Sequence, residues 1–478
     1  MIFIDKNSSV PLYGQIYNQI KKDIMSGVYP VGSVLTPTRV LAKELCLSRN
    51  TVENAYNNLV LEGYVYSKQG AGYIVEDIYK YQLSPPKVKK TEKYHWYVSE
   101  RPFKEKAAGQ PKILYDFKYE NLPIDLFPFS LWRKYTSSAL LGIDVNKLTS
   151  YNEQEGEPDL RKELRKYLHR QRGVNCTVDQ IVICCGIQDS IDRICYLLPK
   201  EYRSLGFDEP GHQVIREVFE RNNYNITSLP VYPEYDYFDV LDQSDVRIVF
   251  TTPSHQFPVG YHMSITERLR LLSWAEKNNG IIIEDDYDSE FRYRSQPIPS
   301  IQSIDNSGSV IYIGTFSKVF APGLRLSYMV LPEFLAPYYK NAFANQYTKI
   351  PWLNQKVMAL YMQNGHFERH IRKCCNIYRE KYECIMHSIQ IILKDRVQII
   401  GSDAGFHILL WVPEAKSEEW LITRAAEKGV KVYPTNHYWL KGEKNPGNTL
   451  LIGFANLHND QIVKGIHLLN EAWFNGDR

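Results

Sequence analysis

The sequence predicts an α/β protein with a mostly parallel sheet, preceded by a small α+β head. Three observations carry this reading. From about residue 113 onward, apolar β-branched runs alternate with long amphipathic stretches; examples are QIVICC (180–185), VRIVFTTP (246–253), GIIIEDDY (280–287) and SVIYIGTF (309–316). That is the pattern of strands buried on both faces and separated by helices. Residues 1 to about 78 instead carry short helical periods followed by one glycine-tipped hairpin. Between the two, residues 79–112 lose periodicity, contain Pro85, Pro86 and Pro102, and turn basic, with eight Lys/Arg against three Glu over residues 81–112. They read as a tether, stiffened at its prolines; a solubilising linker and a polyanion contact fit it equally well.

The totals agree with a multidomain soluble chain. At 478 residues it exceeds one ordinary core and implies two or three domains. Hydrophobic residues at 44% and charged residues at 23% are globular proportions. No apolar run approaches the ~18 residues of a membrane span, and the start MIFIDKNSSVPLYGQ lacks the pattern of a secretion signal. Among eight cysteines, the adjacent pairs Cys184-Cys185 and Cys374-Cys375 lack metal-ligand spacing. They read as buried thiols of a reduced, cytoplasmic protein. The net charge of only +3 leaves any nucleic-acid contact to local patches.

In the head, Leu12, Ile16, Ile20 and Ile24 recur four apart and predict one helix with an apolar stripe. In TPTRVLAKELCLSRNTVENAYNNLVLEGY (36–64), Val40, Leu41 and Leu45 sit on a short second helix, and Cys46-Leu47 makes the turn. Ser48 then caps a third helix, which turns Val52, Ala55, Tyr56 and Leu59 inward. Arg49, Asn50, Thr51 and Asn54 are left at its exposed N-terminal end, where a helix-turn-helix reaches base edges and phosphates. YVYSKQGAGYIV (64–75), with Gly70 and Gly72 at its tip, reads as a hairpin wing. A small helical dimerisation domain is the plainer alternative. The segment resembles the GntR family of winged helix-turn-helix repressors through Arg39, Leu41-Ala42, Ser48-Arg49, Thr51-Val52, Leu59, Glu62-Gly63 and the Gly-x-Gly wing. Two departures stand out: Ala71 lies between the wing glycines where many members have Arg, passing minor-groove contact to Lys68, and Pro37-Thr38 is shifted against the usual Pro-Ser.

In the second half, Lys318 follows the strand SVIYIGTF, is flanked by Thr315 and Ser317, and precedes Arg325 by seven residues. That set suits an amine condensed with an aldehyde beside a bound phosphate. GIIIEDDYDSEF places acids and a tyrosine at the end of another buried strand. Together with TTPSHQFPVG (251–260), IIEDDYDSEFRY (282–293), GTFSKVFAPGLRLSY (314–328) and AGFH (404–407), these residues resemble fold-type-I aminotransferases over roughly residues 113–478. The likeness is sharpest to the MocR-type regulators, in which a GntR head is fused to that fold.

The resemblance implies pyridoxal 5′-phosphate linked to Lys318 as an aldimine, with Asp285 on the pyridine nitrogen and Tyr287 on the phenolate oxygen. Thr315, Ser317, Arg325, Gly186 and Gln188 surround the phosphate, His212 stacks on the ring, and His255 or Gln256 takes the place of an asparagine at the phenolate oxygen. It also implies a homodimer, head-to-tail, that binds operator DNA and responds to a small-molecule effector. The family's arginine for a substrate carboxylate is missing: Asn456 stands after Gly453-Phe454-Ala455, and Gln213 or Val214 stands where a second arginine is expected, with Arg216, Arg292 and Arg294 as candidate replacements. The expectation is therefore a regulator that senses pyridoxal phosphate itself, with an amino compound such as GABA as the second choice. A working aminotransferase with an accessory head is a further alternative, and an empty dimerisation scaffold another.

Overall fold

The structure, a computed structural model, describes residues 2–5, 8, 10–78, 112–119, 122–142, 145–232, 236–293, 299–401, 404–440 and 447–474. The chain divides into two compact units, Met1–Lys106 and Ala107–Arg478. Of the proposed tether, only Lys112 lies within the described residues.

The first unit packs α1 (Leu12–Met25), α2 (Thr38–Glu44) and α3 (Arg49–Leu61) beside an antiparallel hairpin of β1 (Val65–Lys68) and β2 (Gly72–Val75). The four-residue spacing in α1 buries Ile16, Ile20 and Ile24 on one stripe, against Val52, Ala55, Tyr56 and Leu59 of α3. In α2, Leu41 and Ala42 are buried, whereas Val40 is 47% exposed. One residue beside Leu41 is a turn of about 100°, which carries Val40 off the buried face. Cys46 takes a left-handed φ of 53° in the turn, and Ser48 Oγ accepts the Thr51 N–H at 3.2 Å to cap α3. The wing gains a partner that the sequence concealed: Leu35 N–H donates to the Tyr73 carbonyl and Val75 N–H to that of Ser33, so residues 33–35 pair with β2.

The second unit is built on a seven-stranded sheet. Its strands are β4 (Ile181–Cys184), β5 (Ser204–Glu209), β6 (Asn225–Pro230), β7 (Ile248–Thr251), β8 (Ile281–Asp286), β9 (Val310–Thr315) and β10 (Ser327–Val330), in the spatial order β4-β10-β9-β8-β7-β5-β6. A short β3 (Tyr115–Asp116) lies outside it, in parallel with β13 (Val430–Lys431). Neighbours from β9 to β6 are parallel, and β10 runs antiparallel to both β9 and β4. Successive side chains of β8 enter different cores, Ile281 and Ile283 on one face and Ile282 on the other, which is why the run is apolar throughout. The outer edge of β4 is covered: Ile183 N–H donates to the Glu155 carbonyl at 2.8 Å. A smaller antiparallel sheet follows, of β11 (Gln398–Ile400), β12 (His407–Trp411), β14 (Tyr433–Pro434) and β15 (Thr449–Gly453), in the order β11-β12-β15-β14. No helix among the described residues is long and apolar enough to cross a membrane.

Candidate cofactor pocket and DNA-reading head

Ligands in open α/β sheets collect outside the carboxyl ends of the strands, and here the loops after β4, β5, β7, β8 and β9 converge on one cavity of about 360 Å³. Of the residues expected there, Gly186, Gln188, His212, Asp285, Tyr287, Thr315, Ser317, Lys318 and Arg325 all line it. Gly186 sits at φ 82°, ψ 170° and caps the helix Ile187–Leu197. A Cβ on it would lie 2.3 Å from Arg325 Nη2, so only glycine lets the guanidinium reach the helix N-terminus, where it also donates to the Cys185 carbonyl at 3.3 Å. Ser317 N–H donates to Thr315 Oγ1 at 3.0 Å. Guanidinium, hydroxyls and a helix start are together the chemistry that would cradle a phosphate.

Asp285, at the end of β8, is buried, and burial beside Asp286 and Asp288 pushes its carboxyl up to about 8, with Lys318 opposing. A cationic ring N–H would relieve that cost by offering an opposite charge. Amine, phosphate cradle and strained acid are the three attachments that pyridoxal phosphate requires, and the residues fit it. When bound, the cofactor supplies an aldehyde for an amine and an electron sink for the atoms next to it.

The sequence reading missed two walls of the cavity. Tyr119, from the segment after β3, places its ring 3.8 Å beneath Lys318 Nζ. Phe257, with Thr252, lines the cavity from the loop after β7, and its ring lies 5.0 Å from that of His212. Gln256, its neighbour, does not line it: its amide donates to the Pro210 and Phe257 carbonyls, its oxygen accepts from Val259, and it faces another cavity. His255 is buried behind Tyr287. Nothing in the residue types separates Phe257 from Gln256; only the path of the loop does.

The effector residues also fall elsewhere. Arg216 donates to the His437 carbonyl at 3.2 Å and lies 3.7 Å from Glu220, outside the cavity lining. Asn456 is exposed on the turn after β15. Arg292 is buried and donates to the Ser254 carbonyl, and Arg294 lies outside the described residues. Arg325 is therefore the one arginine among the lining residues described. A smaller cavity of about 240 Å³ adjoins through Tyr119, His212, Val214 and Phe257, and Lys118 contributes to its wall.

In the first unit, Arg39, Ser48, Arg49, Asn50, Asn54, Lys68 and Gly70 are exposed, and Thr51 is half-buried. Arg49 pairs with Glu53 at 2.6 Å, one turn along α3. Gly70 and Gly72, at φ 81° and 91°, allow the three-residue reversal of the wing.

Comparison with known proteins agrees with both units. Residues 12–75 match the family of bacterial regulatory proteins, gntR family, and residues 136–466 match aminotransferase class I and II. An HTH-type transcriptional regulator of Bacillus subtilis, YhdI, is 37% identical over 98% of this chain and 97% of its own length. The probable rhizopine catabolism regulatory protein MocR of Rhizobium meliloti is 30% identical over 99% and 96%. The HTH-type pyridoxine biosynthesis transcriptional regulator PdxR of Corynebacterium glutamicum is 24% identical over 95% and 94%. Among solved structures, a kynurenine aminotransferase of Pyrococcus horikoshii superposes with a TM-score of 0.68 at 24% identity, over 77% of this chain and 92% of that one. Fold and lining residues together identify pyridoxal 5′-phosphate as the cofactor. With a GntR DNA-binding head and an aminotransferase-like cofactor domain in one polypeptide, the chain belongs to the MocR-type GntR transcriptional regulators.

Proposed function

We propose that this chain is a cytoplasmic regulator whose DNA binding changes with occupancy of the Lys318 pocket, and that pyridoxal phosphate itself is the regulatory ligand. One observation carries the reading: the charged residues lining the cavity are Lys318, Arg325 and Asp285, each of which this reading assigns to the cofactor. Among the described residues no second guanidinium lines it to pair with a carboxylate, and leaving a carboxylate buried and unpaired would cost several kcal/mol. The relative named for pyridoxine biosynthesis regulation supports the same choice. In this reading Lys318 holds the aldehyde carbon, Asp285 the ring nitrogen, Tyr287 the phenolic oxygen and His212 the ring face. Arg325, Ser317, Thr315, Gly186 and Gln188 hold the phosphate. Residues 1–78 bind the operator, through Arg39, Ser48, Arg49, Asn50, Thr51 and Asn54 in the major groove and Lys68 and Gly70 at the wing. Residues 79–112 tether them to the cofactor domain, and two copies act as a head-to-tail homodimer.

The ligand can act only by binding two arrangements of the molecule with different affinity. The test is operator affinity of the stripped protein, titrated with pyridoxal phosphate alone and then with amino compounds. A change on adding the cofactor is the expected result. If only an amino compound shifts affinity and footprint, the cofactor is not the signal. A second reading, an amino-compound sensor, draws on the adjoining cavity and Lys118. Sustained turnover of amino donors with keto acids would support an enzyme instead.

A further inference from the structure

The Tyr287 hydroxyl is held from behind by a buried polar cluster that three distant segments assemble. His255 comes from the loop after β7, Asp288 from the loop after β8, Gly405 from the approach to β12 and His407 from its first position. His255 Nδ1 lies 2.8 Å from Asp288 Oδ2 and 3.2 Å from the Tyr287 oxygen, and the Tyr287 hydroxyl donates to the His255 carbonyl at 3.0 Å. Both side chains of the pair are 1% exposed, and neither lines the cavity. Gly405 makes room for them: a Cβ there would sit 2.4 Å from His255 Cε1 and 2.5 Å from Asp288 Oδ2. His407 packs alongside with its ring 5.5 Å from that of His255, and donates from Nε2 to the Pro258 carbonyl at 3.0 Å.

A buried carboxylate–imidazole pair is a poor way to gain stability, because desolvation offsets most of its attraction. Its orientation toward one tyrosine oxygen points to a different use. We propose that Asp288 and His255 are positioning residues: the Asp288 carboxyl group fixes the imidazole, and His255 then sets where the Tyr287 oxygen sits, so that the one hydroxyl proton, donated here to the His255 carbonyl, is within a turn of the phenolic oxygen of a bound cofactor. They thereby control how well Tyr287 stabilises negative charge on the phenolic oxygen of the bound cofactor. The proposal rests on the assignment of Tyr287 to that oxygen.

A donor aimed at the oxygen favours its anionic form and lowers the pH at which the lysine-linked cofactor loses its proton. Loosening the donor raises that pH. The other ionisable groups facing the cluster are Lys318, Asp285, Asp286, Arg292, Tyr119, Tyr293, His262 and His407, and they are common to every variant compared.

The experiment is the pH titration of visible absorbance of full-length, cofactor-loaded protein. It compares wild type, Asp288→Asn and His255→Gln, each also in a Tyr287→Phe background. Each single variant is expected to raise the midpoint by about one pH unit, the tenfold change of one weakened hydrogen bond to a charged group, and to add nothing once Tyr287 is phenylalanine. Asp288→Asn keeps the side-chain volume, and His255→Gln serves if it fails to fold. An unmoved midpoint in the single variants, while Tyr287→Phe moves it, overturns the proposal. So does a shift of equal size in the Tyr287→Phe background, which would be a structural or long-range charge effect. If Tyr287→Phe itself moves nothing, the assignment of Tyr287 falls as well.

Discussion

Replacing Gly186 by alanine tests the phosphate cradle at its tightest point. At φ 82°, ψ 170° the backbone occupies a region essentially confined to glycine, so the substitution costs about 1–3 kcal/mol of folding stability. The new Cβ would also meet Arg325 Nη2 at 2.3 Å and Cζ at 3.0 Å. Arg325 is an exposed, flexible side chain, so it moves outward cheaply; the consequence is loss of its reach to the phosphate. A hydrogen bond to a charged group is worth about 1.5–3 kcal/mol, which predicts a loss of cofactor affinity of roughly 10- to 150-fold. Titration of stripped protein with pyridoxal phosphate, followed by visible absorbance, measures this directly. Arg325→Ala should reproduce most of the loss, and the double variant should be little worse than either single one. If Gly186→Ala folds and binds the cofactor within twofold of wild type, the cradle is not at this helix start. An undiminished loss in the Arg325→Ala background would show that the effect does not run through the guanidinium.

Three further substitutions address the amine, the acid and the head. Lys318→Ala should remove the visible band of the lysine-linked cofactor and leave a folded protein, destabilised chiefly by lost cofactor linkage; a retained full band would place the attachment elsewhere. Asp285 has a folded-state pKa raised to about 8 by burial and its acidic neighbours, against ~4 when unfolded. The folded state therefore binds more protons between those values, and stability declines as pH rises through them. Cofactor-free Asp285→Asn should escape that decline while losing cofactor affinity, and parallel melting curves against pH for variant and wild type would contradict this. Arg49→Ala should weaken operator binding by about 1–3 kcal/mol if it reads a guanine, with cofactor binding intact; unchanged operator affinity would remove α3 from the groove.

Where a residue's role followed from its neighbours in sequence, it could be read in advance. The stripe Ile16, Ile20 and Ile24, the Ser48 cap and the buried β8 run all follow from local periods of 3.6 or 2, and the structure places them as expected. The residues around Lys318 gather in one cavity because strand ends and short loops leave little freedom. Legibility fails where placement depends on long-range geometry. Tyr119 reaches the lysine from a segment some two hundred residues earlier in sequence that carries no motif. Arg216 has the right chemistry, but its helix directs the guanidinium to the His437 carbonyl. Phe257 and Gln256 are adjacent, and the loop after β7 turns the apolar one into the cavity.

The antiparallel β10, set between β4 and β9, has a consequence for how the chain emerges from the ribosome. Strand β4 pairs with β10 alone, and 143 residues separate Cys184 from Ser327. At about 5–20 residues per second, β4 waits roughly 7–30 s after its own synthesis for the strand that completes its ladder. During that interval the run Ile181–Cys184 is an apolar strand without its neighbour, the kind of segment that nascent chains aggregate through. The head, by contrast, has all its partners within the first 78 residues and can be folded before β4 is made. The loop at Glu155 is already translated when β4 appears, so its contact with Ile183 is one edge contact that does not have to wait for β10.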